Sequence, residues 1–124
     1  MQGAIQVHRF RNLQVLEIKK VPVHMIEGLN QLRGQLQTLI ISRSLLALQD
    51  VFETCGSDMT SPMSWPQLDT VNLSYNTLTC LDSSLRLLPV LKIVDISHNS
   101  LEKTEHYLEY LTELQRINLG YNML

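Results

Sequence analysis

Apolar and polar residues alternate in short bursts along this chain, and the bursts recur at a fixed interval. LDTVNLSYNTL (68–78), LKIVDISHNSL (91–101) and LQRINLGYNML (114–124) are each apolar at positions 1, 4, 6 and 11 and carry Asn at position 9. Their first residues, Leu68, Leu91 and Leu114, are equally spaced. Two looser copies come earlier, and the step from one to the other is the same. LQTLIISRSLL begins at Leu36 and keeps Leu39, Ile41 and Leu46, with Ser44 at position 9. LQVLEIKKVPV begins at Leu13 and keeps Leu16, Ile18 and Val23, with Val21 at position 9. The first half of each unit alternates with period two, as a strand buried on one face does. The second half spaces apolar residues for a helix: Leu81, Leu85 and Leu88 in one unit, Leu108 and Leu111 in the next. Strand, turn, helix and return lay successive strands parallel, about 4.8 Å apart.

The pattern L-x-x-L-x-L-x-x-N-x-L is the leucine-rich-repeat signature. It implies an α/β fold: a leucine-rich-repeat solenoid with a parallel concave sheet and short helices on the convex side. Each unit buries its leucines against its neighbours, so the coil extends in one dimension. Position 9 follows from hydrogen bonding. Where the strand ends, backbone groups turn inward with no ladder partner, and one amide has two donors and an acceptor to offer them. Leaving such a group unpaired costs about 1–3 kcal/mol. Asn76, Asn99 and Asn122 are therefore expected to form a buried architectural column. Ser44 can substitute in part and Val21 cannot, which predicts looser turns in the first two units.

All 124 residues read as a single leucine-rich-repeat domain, with repeats starting near 13, 36, 68, 91 and 114. Only the step from Leu36 to Leu68 is longer than the others. The excess falls in TCGSDMTSPMSWPQ, residues 54–67, after an expected helix through Ala47 to Glu53. Its Gly, Ser, Thr and Pro content reads as an insertion loop. Trp65 has two readings there: it folds back and pins the loop, or it stands out as an anchor for a partner. Ser61 before Pro62 fits a proline-directed phosphorylation site. The fifth signature closes on Leu124 without a convex half or a polar cap, which suggests a fragment of a longer protein. Residues 1–12 are a candidate cover for the front end, with a pattern too short to assign.

Between the buried leucines, positions 3, 5, 7 and 8 face outward on the concave side. The expected partner-binding residues are Arg43, Thr70, Asn72, Tyr75, Asp95, His98, Arg116, Asn118 and Tyr121. Position 8 runs Lys20, Arg43, Tyr75, His98, Tyr121 across the strands. Tyr and Arg combine apolar area with hydrogen bonding and suit interfaces, and Ile40 and Ile93 share the face. The alternative is an ordinary solvated sheet. Five strands span roughly 19 Å and expose about 17 Å of length each. That gives a few hundred Å2, below the ~800 Å2 per partner of a standard interface. On the convex side Glu102, Glu105, Glu109 and Glu113 read as one solvated helical face.

A net charge of −2 gives no long-range attraction for nucleic acid or acidic membranes. No stretch approaches the ~20 apolar residues that span a bilayer, so direct membrane insertion is not expected. Cys55 and Cys80 match no zinc or redox spacing and read as two buried thiols. G-x-S-x-G, H-E-x-x-H and phosphate-cradling glycine loops are all missing from the sequence. The expectation is a non-enzyme with no catalytic residues, no metal and no cofactor. The pattern leaves oligomeric state open.

Units of this length resemble the intracellular repeats found in regulatory subunits of phosphatases. A closer resemblance rests on VPVHMIEGL (21–29), LQTLIISRSLLALQD (36–50) and LDSSLRLLPVLKIVDISHNSL (81–101), together with the Trp-containing insertion. These stretches look like the amino-terminal repeat region of the serine/threonine kinase 11-interacting family. That resemblance implies a cytoplasmic, non-enzymatic scaffold that binds and positions a serine/threonine kinase. It implies no particular contact residues. Two alternatives remain at this point: a regulatory subunit that docks a phosphatase catalytic domain on the concave face, and a structural spacer.

Overall fold

The computed structural model describes residues 5–55 and 63–124. It is an α/β arrangement of parallel strands joined by short helical turns. Five strands form one sheet in chain order: β2 (Val15–Lys19), β4 (Thr38–Ser42), β5 (Thr70–Asn72), β6 (Ile93–Asp95) and β7 (Arg116–Asn118). Every neighbouring pair is parallel, and the register follows the sequence repeat position by position. Position 4 aligns as Leu16, Leu39, Val71, Val94 and Ile117; position 3 as Val15, Thr38, Thr70, Ile93 and Arg116. The long step after Leu36 is absorbed wholly outside the sheet, because β4 and β5 pair at the same positions as the others.

Positions 4 and 6 carry β-branched and leucine side chains into one continuous core. Leu39, Ile41, Val71, Leu73, Val94 and Ile96 are all buried there. From the opposite side Leu81, Leu85, Leu88 and Leu111 close it. Two short α-helical turns, α1 (Leu29–Leu32) and α2 (Gln49–Phe52), lie on this side in the first two units. The later units use 3-10 turns, Ser83–Leu87 and Tyr107–Tyr110. A 3-10 turn rises about 2.0 Å per residue against about 1.5 Å for an α-helix. A short return segment therefore covers the length of the strand with fewer residues. The same economy corrects the acidic helical face: Glu102, Glu105, Glu109 and Glu113 are exposed, but only 107–110 is helical and Glu105 has φ 53°.

Neighbouring turns are tied by specific bonds. Asp82 Oδ1 accepts from Ser84 N–H at the start of its own turn, while Oδ2 accepts from Gln49 N–H at the start of α2 (3.3 Å). Arg86 pairs with Glu53 at 2.7 Å, again linking the two units. At the front, β1 (Ile5–Gln6) pairs in parallel with β3 (Ile26–Glu27), and Val7 N–H continues to Glu27 O. This brings His8 against Gly28, whose φ is 87°. A Cβ there would lie 2.6 Å from His8 Cβ, so only glycine fits.

Trp65 folds back onto the core, as the first of its two readings has it, and is not an exposed anchor. It is fully buried, with its ring set edge-on to Phe52 at 5.8 Å and Nε1–H donating to Phe52 O at 3.1 Å. A side chain of that size near a core releases more free energy by filling it than by standing in water. Cys80 is exposed, so only Cys55 is a buried thiol. The central stretch of the insertion, 56–62, with Ser61 and Pro62, lies outside the described residues.

A further correction concerns unit 2. Leu46, assigned to the core, is 73% exposed, and Leu45 takes its place at 2%. Ser44 and Leu45 N–H groups both reach Asn76 Oδ1 at 3.1 Å, which draws the turn in one residue early. Arg43 N–H correspondingly donates to Tyr75 O (2.8 Å), whereas Lys20, Tyr75 and His98 each donate to the position-7 carbonyl of the next unit. Leu45→Ala is accordingly expected to cost about 2–3 kcal/mol, and Leu46→Ala to stay within about 0.5 kcal/mol. Urea unfolding of the two variants measures both. Equal losses would reverse the assignment.

Candidate interaction surface

The last three strands each end in a turn built by position 5. Asn72 Oδ1 accepts from Ser74 N–H (2.9 Å) and Ser74 Oγ–H (2.7 Å). Asp95 Oδ1 does the same with Ser97, at 2.9 and 2.6 Å, and Asn118 Oδ1 accepts from Gly120 N–H at 2.9 Å. These are side-chain-closed turns of the kind Asn and Asp favour. Asn72, Asp95 and Asn118, expected as partner contacts, thus have one oxygen each committed to ending a strand. The sequence carried a signal for this in N-L-S, D-I-S and N-L-G, which repeats at the strand ends.

Position 8 lies in the left-handed region in every unit, with or without that turn: Lys20 (φ 59°), Arg43 (51°), Tyr75 (60°), His98 (56°) and Tyr121 (57°). Non-glycine residues adopt this conformation at a cost of about 1 kcal/mol or more each. Here the neighbouring side chains offset part of it. The Tyr75 and His98 rings stack at 4.2 Å with planes 9° apart, and His98 and Tyr121 stack at 4.3 Å and 10°. The guanidinium of Arg43 sits 5.4 Å from the Tyr75 centroid, within cation–π range. The interstrand spacing of a parallel sheet sets this pitch. The structure therefore gathers Arg43, Tyr75, His98 and Tyr121 into one column along the sheet's end, with Tyr75 48% and Tyr121 79% exposed.

Thr70 and Arg116 lie on the outward face of the sheet in register with Val15 and Ile93, both exposed. Thr70 Oγ1–H donates to Asp69 Oδ1 at 2.8 Å. The position-9 asparagines sit behind the column. Nδ2 of Asn76 donates to Ile41 O and Leu73 O; Nδ2 of Asn99 to Leu73 O and Ile96 O; Nδ2 of Asn122 to Ile96 O and Leu119 O. Each amide thus bridges its own unit and the one before. Asn76 and Asn99 are buried; Asn122 is half-buried, because among the described residues no strand packs beyond β7. Ser44 does part of the same work for unit 1, with Oγ accepting from Val21 N–H at 3.0 Å and donating to Ser42 O at 2.7 Å.

Among the described residues no group of three His, Cys, Asp or Glu side chains is placed to hold a metal, and no helix is long and apolar enough to cross a membrane. Burial pushes the Cys55 thiol up, although Arg33 donates to its Sγ at 3.0 Å and pulls the other way. A protonated, enclosed thiol is a poor nucleophile. The chemistry on offer at the surface is cationic, aromatic and hydrogen-bonding.

No protein-family model matches the chain. Individual relatives do. The human serine/threonine-protein kinase 11-interacting protein is 48% identical over 90 residues, which cover 73% of this chain and 8% of that protein. The chicken protein of the same name is 40% identical over 93 residues (75% and 9%), and the mouse protein 40% over 92 residues (74% and 9%). The chain spans less than a tenth of the length of these relatives. Over about three-quarters of its length, then, this chain is a homologue of a short stretch of the serine/threonine-protein kinase 11-interacting proteins.

Proposed function

We propose that the chain is one leucine-rich-repeat solenoid domain of five units, and that it works as a non-catalytic docking module for a serine/threonine protein kinase in the cytoplasm. The kinase comes from the relatives' name, which describes proteins that interact with serine/threonine kinase 11. The observation that carries the docking role is the column of Arg43, Tyr75, His98 and Tyr121, beside an outward sheet face bearing Val15, Thr70, Ile93 and Arg116. Stacking fixes these rings before any partner arrives, so less side-chain entropy is lost on association. Tyr and Arg held this way are the residue types that dominate binding energy when buried at an interface. Five short strands offer less area than a standard interface, so binding by this chain alone is expected to be weak.

Immobilised chain should capture the purified catalytic domain of serine/threonine kinase 11. Combining Tyr75→Ala with Tyr121→Ala should weaken capture at least about tenfold, the effect of losing two anchors. Circular dichroism checks that the double variant keeps its fold. Capture that survives the double change at full strength removes the column from the interface. A folded chain that captures no kinase removes the kinase.

A further inference from the structure

The displaced turn of unit 2 opens a cleft of about 860 Å3 beside the ring column, walled by Pro22, His24, Arg43, Leu46, Asp50 and Tyr75 among others. Clefts of about 300–1,000 Å3 with apolar walls and a few fixed polar groups are where ligands seat. Two features of the wall are surface groups that the fold leaves without a packing role. Leu46 is 73% exposed at the point where units 1, 3 and 4 bury Val23, Leu78 and Leu101. Arg43 is exposed, its guanidinium lies over the Tyr75 ring, and among the described residues it makes no side-chain hydrogen bond or ion pair. Arg43 makes no ion pair with Asp50, the one acid in the wall, and Lys20 continues the position-8 column beside it.

We propose that this cleft binds a short acidic segment of a protein partner, with a carboxylate against Arg43 and an adjacent aliphatic side chain against Leu46 and Pro22. The inference rests on the reading of this chain as a docking module and gives that module a peptide chemistry. A guanidinium stacked on a ring keeps its edge donors free and pre-oriented for a carboxylate, which it can bind in a two-pronged fashion. An exposed leucine beside a proline supplies the apolar contact that a free carboxylate would lack. The two together select acid next to aliphatic, rather than charge alone.

Fluorescence anisotropy on the full chain tests this with a labelled eight-residue peptide of alternating Glu and Leu, and its counterpart of alternating Gln and Leu. The Glu–Leu peptide should bind at least tenfold more tightly. Arg43→Gln should abolish that difference, and Leu46→Asp should weaken the Glu–Leu peptide at least tenfold. Thr112→Asp, at an exposed position between β6 and β7, should change neither. Equal affinity for both peptides overturns the proposal, as does Leu46→Asp without effect in a variant whose thermal unfolding is unchanged. Arg43-dependent binding to phosphatidylserine vesicles with no peptide binding overturns it in favour of a membrane surface. Peptide binding without kinase capture would leave the cleft standing and remove only the kinase.

Discussion

Trp65→Ala is expected to lower the unfolding free energy by about 3–5 kcal/mol, a large share of the roughly 5–15 kcal/mol that holds a domain folded. The indole is fully buried and closes the long step between units 2 and 3. Its ring meets Phe52 edge-on, its Nε1–H satisfies Phe52 O, and the Arg33 guanidinium lies 6.0 Å from it. Its backbone N–H donates to Leu87 O at 2.8 Å, so one residue joins α2 to the turn of the next unit. Trp65→Phe keeps most of the volume but strands the Phe52 carbonyl, and should cost about 1–3 kcal/mol. Urea unfolding followed by far-ultraviolet circular dichroism measures both variants, because Trp65 is the sole tryptophan and fluorescence is lost with it. A Trp65→Ala variant that loses no more than an ordinary surface change does, about 0.5 kcal/mol, would place the residue outside the core.

What the sequence made legible follows from where the interval constrains a residue. The register of all five strands could be read because one slip would turn Leu39, Val71 and Val94 out of the core together. The same logic aligned Arg43, Tyr75, His98 and Tyr121, although stacking itself depends on the left-handed backbone that no side-chain pattern announces. In unit 2 the sequence offered two adjacent leucines, and hydrophobicity cannot choose between them. The choice is made by Asn76, which reaches back from the following unit. Trp65 was ambiguous because its neighbours in the chain are loop residues, while its neighbours in space come from Phe52 and Arg33. The return segments are too short for periodicity to separate 3-10 from α geometry, and the glutamates after Leu101 were read as a helix that so short a turn cannot make.

The surface was legible in the same uneven way. Outward polar residues at position 5 look free in a sequence, since alternation reports only which side a residue faces. Asn72, Asp95 and Asn118 instead spend an oxygen on the turn that leads into the left-handed position 8. The cleft had no signature at all, because it arises where the repeat fails by one residue. Both local surfaces thus trace to the strand ends, where side chains substitute for missing ladder partners.

That substitution sets up the second large effect, at Asn99. Its Oδ1 accepts from Leu78 N–H at 3.1 Å, and its Nδ2 faces the carbonyls of Leu73, Ile96 and Ser97. Leu73 O and Ile96 O also receive Asn76 and Asn122, so they keep a donor if Asn99 is lost. Leu78 N–H does not, and Asn99→Ala should therefore cost about 2–3 kcal/mol: one stranded donor plus a small void. Asn99→Asp keeps the acceptor but turns an anion toward three carbonyl oxygens that have nothing to donate. At pH 7 it should cost about 3–5 kcal/mol, more than alanine, as an uncompensated buried charge does. Burial and the facing carbonyls raise the introduced carboxyl above its unfolded value of about 3.9. The folded state then holds its proton more tightly, so the deficit is full at neutral pH and shrinks as pH falls through the raised folded value toward ~4. Denaturant unfolding of both variants at pH 7 and pH 4.5 reads this directly. An aspartate variant as stable as the alanine one at pH 7, with no gain on acidification, would mean that the amide's donors face water and that the column is not what joins the units.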